Sequence, residues 1–524
     1  MRVRLLFRER NADLTAAPPE GTDELIADLD LAPVLEAMEP DRDLDDLCPA
    51  VLFRPLVDAG EIAWRQQVLA DALADPALML TLFDLAGRAL QSQRALWMYG
   101  GRSADSLLTK ARSGLEALLP LLRELARFAA ERLTGVRSAA LTELGERLVA
   151  DLDAAYLDRV AELLRQLRFP DGMTTRVRVR PSGLLGTPEL LPPRAVSWWA
   201  HRFARPGRVR FELPERDEAG AQALDNLRND GLYDLASTVN RIHDQLVAFF
   251  TQLRGETGFY VGCLQLHDRL TRAGVAVCWP EAAASGDELD AEGLVNLSSV
   301  VRGGPRPVPN DLVPQPSVAP HLPLAILTGA NQGGKTTFLR SIGCAQLLLQ
   351  AGLFVPAVPY RSSPAPGLHS HFRGAEQDDP GAGKLAEELG RMSRIVDRCR
   401  PGDLLLMNES FSSTDELQGT FIAAEIVDAL LAHRVRVVLV THFQRLAVRY
   451  LHRPGVRFLR AERLPDGVRT HRLLPGAPEP TSHALDIFRQ VMVAVEPGEP
   501  GRAAAERGRW VAGGAHTVDE GGSR

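Results

Sequence analysis

Cysteine is scarce and scattered. The five residues, Cys48, Cys263, Cys278, Cys344 and Cys399, include no C-x-x-C pair, so their spacing predicts neither a disulfide framework nor a zinc site. No run of about 18 consecutive apolar residues exists, which predicts no helical membrane span. The apolar stretch within MRVRLLFRERNADL is too short for a secretory signal, and a cytoplasmic protein is expected. An excess of positive charge is also missing. The 60 Lys and Arg against 67 Asp and Glu give a formal charge of −7, which excludes a uniformly basic nucleic-acid coat and leaves room for a local basic patch. What is present is a chain of 524 residues that is 45% hydrophobic and 24% charged. That composition supports a sizeable core, and the length predicts about three domains at roughly 150 residues each.

Three regions follow in order. From Thr22 to about Leu163, apolar residues recur at three- and four-residue steps, the period of amphipathic helices. The stretch from Ser106 to Leu167 predicts long helices packed as a hairpin. At Pro170 the character changes. TTRVRVR (174–180) and RVRFELP (208–214) alternate apolar and basic residues and predict strands. Eight arginines between Arg176 and Arg210 fall here, with Trp198 and Trp199. Such a basic strand pair can bind phosphates and stack on bases; a β insertion with solvated arginines fits the residues equally. Helical spacing returns from Gly220, and VAVCWPEA (275–282) reads as a buried strand. The Pro- and Gly-rich segment 302–323 marks a boundary. Beyond it, strands and helices alternate, which predicts an α/β nucleotide-binding domain. The Gly-, Ala-, Arg- and Glu-rich end from Glu496 predicts a disordered tail.

The chemistry concentrates in AILTGANQGGKTTFLR (325–340). The order Gly329-x-x-x-x-Gly334-Lys335-Thr336, after an apolar strand and before an apolar helix, is that of a phosphate-binding loop. Backbone N–H groups in such a turn point at one anion, and the helix N-terminus adds positive potential. The candidate phosphate contacts are therefore Gly329, Ala330, Asn331, Gln332, Gly333, Gly334, Lys335, Thr336 and Thr337. ATP is the expected ligand, with Mg²⁺ held by Thr336 and by Asn408 at the end of the apolar strand LLLMN. Asn408 stands where such strands usually present an aspartate. Glu409 is the candidate general base toward water. His442, ending the strand VVLVTH, is a candidate catalytic residue that contacts the γ-phosphate or positions the water, and Gln377, in a loop before a helix, is a further candidate nucleotide contact.

These stretches together resemble the MutS family. TGANQGGKTTFLR is similar to that family's TGPNMGGKSTFMR loop. PVPNDL (307–312), AGLFVPA (351–357), RGAEQDDPGAGKLAEEL (373–389), VTHFQRLA (440–447) and TSHALDIFRQ (481–490) resemble segments around it. IAWRQQVLADAL (62–73) and FYVGCLQLHDRLTRAGVAVCWPE (259–281) look like pieces of the family's helical core. The resemblance implies a multidomain α and α/β protein. A helical core and lever over 22–169 and 220–301, preceded by a segment 1–21, carries a small basic β-containing insertion over 170–219. An ABC-related P-loop ATPase domain follows over 302–491, with the tail at 492–524. It also implies a homodimer with composite sites, in which Thr414 of SFSSTDE (410–416) reaches the partner's nucleotide, and double-stranded or branched DNA as the macromolecular partner. The family's mismatch-reading domains, one bearing a Phe-x-Glu wedge, and a fused nuclease domain are not read in this sequence. The expectation is an ATPase coupling nucleotide turnover to a DNA-contacting lever. The alternative is a nucleotide-gated dimeric scaffold with slow hydrolysis and a protein partner. An ABC transporter subunit finds no support, because neither an LSGGQ-like helix start nor a membrane span is present.

Overall fold

The helices of the first half form where the apolar period predicts them. The structure, a computed structural model, describes residues 2–41, 47–94, 103–170, 172–182, 186, 188–191, 217–283, 288–304, 306–313, 322–330, 332–373, 383–464 and 468–478. Asn331, Gln377, the Trp198–Trp199 pair, the strand expected at 208–214, the helix expected at 481–490 and the tail lie outside these residues. In chain order come α1 (Thr22–Leu29), α2 (Ala32–Ala37), α3 (Leu47–Leu52), α4 (Ala59–Ala74), α5 (Pro76–Arg94), α6 (Ala104–Phe128), α7 (Ala139–Asp151) and α8 (Ala154–Gln166). Side-chain caps start several of them. Asp58, Ser103 and Asp153 accept hydrogen bonds from the N–H groups of Glu61, Ser106 and Tyr156.

The expected hairpin of long helices over 106–167 is instead three helices. A wide turn at Ala129–Leu133 ends α6, and Gly135 turns the chain at a φ of +106°. Asp153 then caps a fresh start at α8. The strand expected over 174–180 is only β1 (Thr175–Arg176), paired antiparallel with β2 (Glu189–Leu190). Next is one helix, α9 (Glu218–Arg272), of 55 residues and so about 80 Å long. It packs on α5 and α6, and on α2, α3 and α4. Its interior stretch Phe249–Cys263 is largely buried. Gly262 is needed there, since a Cβ would collide with the Met38 carbonyl oxygen.

The second half runs β3 (Glu281–Ala282), β4 (Leu289–Leu294), α10 (Leu297–Val301), β5 (Asn310–Leu312), β6 (Leu324–Thr328), α11 (Lys335–Gln350), β7 (Tyr360–Ser362), β8 (Leu368–Phe372), α12 (Lys384–Arg398), β9 (Leu404–Asn408), α13 (Glu416–Ala432), β10 (Arg436–Val440), α14 (Gln444–Arg449), β11 (Val456–Arg463) and β12 (Arg469–Pro475). The segment 275–282 is not the buried strand expected. Only Glu281–Ala282 pairs in a sheet, Cys278 makes a lone bridge to Val355, and Trp279 is 45% exposed; Pro280 offers no donor to extend the ladder.

Two sheets result. The smaller has the order β3-β7-β4-β5, so the Pro- and Gly-rich segment around 302–309 connects strands of one sheet. The larger has the order β12-β11-β6-β10-β9-β8 and is parallel except for β12. Its central strands are apolar throughout because both faces are covered. Ala325, Leu327, Leu404, Leu406, Val438 and Val440 join the core shared with α11 and the helical half. The alternate residues, Leu324, Ile326, Leu405, Met407, Val437 and Leu439, join a second core with α12, α13 and α14. Among the described residues, no helix is long and apolar enough to cross a membrane. This layering leaves the carboxyl ends of the parallel strands free to carry side chains, and the glycine-rich turn sits there.

Candidate functional site

The turn leaves β6 and enters α11. Gly329 and Gly334 adopt φ of +103° and +90°, a region that favours glycine. Gly334 is the residue that caps α11. Gly333 lies against β11, where a Cβ would stand 2.6 Å from that of Ala461. Gln332 also has a positive φ, +61°, and its side-chain oxygen accepts a hydrogen bond from Arg469 of β12. The β11–β12 hairpin thus braces the outside of the turn.

Lys335 is 5% exposed and folds back on the turn, donating to the carbonyls of Gly329 at 2.6 Å and Ala330 at 3.0 Å. Burial pulls its ammonium pKa down, and the nearby Glu409 carboxylate works against that. The Thr336 hydroxyl donates to Asn408 Oδ1 at 3.0 Å. Glu409 follows at the end of β9, with φ +51° and its N–H bonded to the Val440 carbonyl at 2.9 Å. Lys335, Thr336, Asn408 and Glu409 therefore converge at one end of the sheet.

Three further residues singled out from sequence are His442, Thr414 and Thr337. His442 is exposed just beyond β10, its ring centroid 4.6 Å from that of Phe443. Thr414 lies in the turn before α13, 3.5 Å from Gln418 Oε1. Thr337 is exposed on α11, and its carbonyl accepts from Asn296 at 3.3 Å.

Several neighbours reach the site by long-range packing, which the sequence spacing does not show. Asn310 donates to the His471 carbonyl at 3.1 Å and accepts from the Leu473 N–H at 2.6 Å, tying β5 to β12. A cavity of about 370 Å³ opens beside Gly334 and Thr337, lined also by Asn296, Arg302, Pro307 and His471. On the far side, buried His371 bonds to Ser410 Oγ at 2.7 Å and to the Glu388 carbonyl at 3.0 Å. Its ring stacks on Phe411. Burial pushes its pKa down to about 4. The asparagine of PVPNDL was visible as part of a motif; its bracing role was not.

The donor set fits a phosphate ligand and a hard cation. A buried ammonium sits at a helix N-terminus. The oxygens of Thr336 and Asn408 meet beside it, and oxygen donors are what Mg²⁺ takes.

Fold and site together define a mixed α/β protein: a helical region followed by a mostly parallel sheet whose central strand feeds a glycine-rich, lysine-bearing turn. Comparison with known families gives the rest. The MutS2 N-terminal domain matches residues 57–273, and MutS domain V matches residues 325–471. The chain belongs to the MutS family. It is 33% identical over 188 residues to "Endonuclease MutS2" of Geobacillus thermodenitrificans, covering 35% of this chain and 23% of that protein. It is 26% identical over 312 residues to "DNA mismatch repair protein MutS" of Caulobacter vibrioides, covering 55% of this chain and 33% of the relative. With the MutS of Rhodopseudomonas palustris the figures are 25% over 464 residues, 75% of this chain and 49% of the relative. The chain thus spans a quarter to a half of the length of these relatives.

Proposed function

We propose that this protein is a MutS-type ATPase that couples ATP binding and hydrolysis to movement of a helical, DNA-contacting lever. One observation carries the reading: Lys335, Thr336, Asn408 and Glu409 meet at the carboxyl ends of parallel strands, around a turn with glycines at positive φ. The relatives' names, mismatch repair and endonuclease, support a role near DNA. In this reading residues 302–491 form an ABC-related P-loop domain. The Gly329–Thr337 backbone cradles the phosphates. Lys335 exchanges its two carbonyl partners for phosphate oxygens, a charge-assisted and stronger bond. Thr336 and Asn408 hold Mg²⁺, which supplies neutralisation of the phosphate charge. Glu409 orients the attacking water and takes its proton. His442 contacts the γ-phosphate, Gln377 serves as a further nucleotide contact, and Thr414 serves the partner subunit's site in a cytoplasmic homodimer. The cavity beside Gly334 and Thr337 takes the nucleoside.

The test is Glu409→Ala. ATP binding is retained and turnover falls by about 10²–10⁴-fold, the range for losing a general base. Unchanged steady-state hydrolysis sinks the assignment.

A second reading is a nucleotide-gated scaffold with slow hydrolysis and a protein partner. Asn408 favours it, because the strand end brings an amide rather than a carboxylate to Thr336. Failure of any duplex, branched or single-stranded DNA to bind at low salt selects this reading over the first.

A further inference from the structure

At the opposite end of the same sheet, His369, Cys399 and Asp403 bring a ring nitrogen, a sulfur and a carboxylate oxygen within 4.8 Å of one another. We propose that they form a binding site for a zinc-class divalent cation. His369 is the second residue of β8, Cys399 follows the last residue of α12, and Asp403 immediately precedes β9. The glycine-rich turn lies at the far ends of these parallel strands, so the inference is independent of the nucleotide reading.

The arrangement is built rather than incidental. The Asp403 side chain is 2% exposed. Its Oδ2 accepts from the Arg400 N–H at 2.8 Å and meets His369 Nε2 at 3.0 Å. Its Oδ1 is buried, with no hydrogen-bond partner among the described residues. Leaving a buried carboxylate oxygen unpaired is costly, and a cation is the ligand that such an oxygen satisfies. Gly367 keeps the space open. A Cβ there would stand 2.8 Å from His369 Nε2 and 2.9 Å from Asp403 Oδ2. A plain ion pair between His369 and Asp403 explains neither the unpaired Oδ1 nor the thiol beside it.

The donor chemistry selects the ion. One sulfur, one imidazole nitrogen and one carboxylate oxygen match Zn²⁺ or Co²⁺, whereas Mg²⁺ and Ca²⁺ take oxygen alone. Coordination takes Cys399 as its thiolate, with the thiol proton released to solvent, so the thiolate and the Asp403 carboxylate balance the two charges of the ion. Tetrahedral zinc ligands stand roughly 3.3–3.6 Å apart, so donors no more than 4.8 Å apart need to close by about 1.5 Å at most, while His369 Nε2 and Asp403 Oδ2, at 3.0 Å, open slightly. A cleft of about 130 Å³, lined by Pro366, Gly367, Leu368, His369 and Arg398, adjoins the site and gives water access to a fourth position. Arg398 faces Glu20 at 3.6 Å, which offsets its charge there. C-x-x-C spacing could not announce such a site, because its ligands come from two strand ends and one helix end.

The experiment is titration of the full-length, chelator-stripped protein with Co²⁺. One equivalent binds, with a thiolate-to-cobalt charge-transfer band, and Zn²⁺ displaces it. Cys399→Ser removes the band while far-UV circular dichroism stays unchanged. His369→Gln weakens cobalt binding by about tenfold or more. Zn²⁺ raises the Tm of the parent protein and not that of Cys399→Ser. Absence of the band in the parent, its persistence in Cys399→Ser, or equal zinc stabilisation of both proteins overturns the proposal.

Discussion

Asn408 is the residue on which the chemistry turns. Its amide oxygen already accepts from Thr336 at 3.0 Å, so an aspartate there would keep the contact and add a negative charge beside the cation position. Asn408→Asp is expected to tighten Mg²⁺-dependent nucleotide binding and raise turnover, each by about tenfold, the effect of roughly 1.4 kcal/mol. Mg²⁺ titration of ATP hydrolysis reads this directly, and an unchanged Mg²⁺ midpoint removes Asn408 from the ion's surroundings. His371 is the second residue of interest. It is buried, bonded to Ser410 Oγ and the Glu388 carbonyl, and stacked on Phe411, with Arg391 and Glu24 as the charged groups that act on it. Burial holds its folded pKa at about 4, below the ordinary 6.5. The unfolded chain therefore binds a proton that the folded one refuses. Stability is full above pH 6.5 and is lost as pH falls from 6.5 toward 4, by about 3 kcal/mol in all. His371→Gln should flatten that slope. Denaturant midpoints measured between pH 7 and 4 check it; an unaltered slope assigns the acid sensitivity elsewhere.

At the scale of elements, the legible parts are those whose period is local. The alternating strands and helices expected beyond residue 323 include helices at Lys335–Gln350 and Lys384–Arg398. The runs LLLMN and LAILT became central strands because an unbroken apolar run suits a strand buried on both faces. Segment 275–282 was misleading because its apolar residues serve as packing around an irregular connection, with Trp279 facing solvent. The candidate site divides in the same way. Gly329, Lys335 and Thr336 lie in one short motif and are readable, whereas Ala461, Arg469 and His371 are placed by sheet order and have no local pattern. Gly262 illustrates a contact that only the tertiary structure explains. A methyl group there meets the Met38 carbonyl, with Cys48 Sγ at 3.4 Å behind it. Helix propensity alone favours alanine over glycine by about 1 kcal/mol, but overpacking typically costs about 1–3 kcal/mol. Gly262→Ala is therefore expected to lower stability, measurable as a fall in Tm; a rise would mean that the N-terminal segment yields without cost.

For the whole molecule, α9 is the element that can carry a signal between distant parts. It begins beside the β1–β2 ribbon, next to which Arg178 and Arg180 are exposed, and near its end His267 packs on Phe354, in the segment that follows α11. Net charge is −7, so any DNA contact must rest on local basic surface and be sensitive to salt. If the helix couples DNA to hydrolysis, two properties should separate on breaking it. Ala248 is exposed in mid-helix, and proline there removes one backbone hydrogen bond and kinks the helix at a cost of about 3 kcal/mol. Ala248→Pro is expected to keep basal ATP turnover while losing stimulation by duplex or branched DNA, with DNA affinity in low salt reduced much less than the stimulation. Thermal melting in parallel confirms that the variant is folded. Loss of basal and stimulated turnover in equal proportion would show that α9 supports the sheet as a strut. Full retention of stimulation would route the coupling through the shorter helices instead. The separation of the two activities, rather than the size of either, is what identifies a lever.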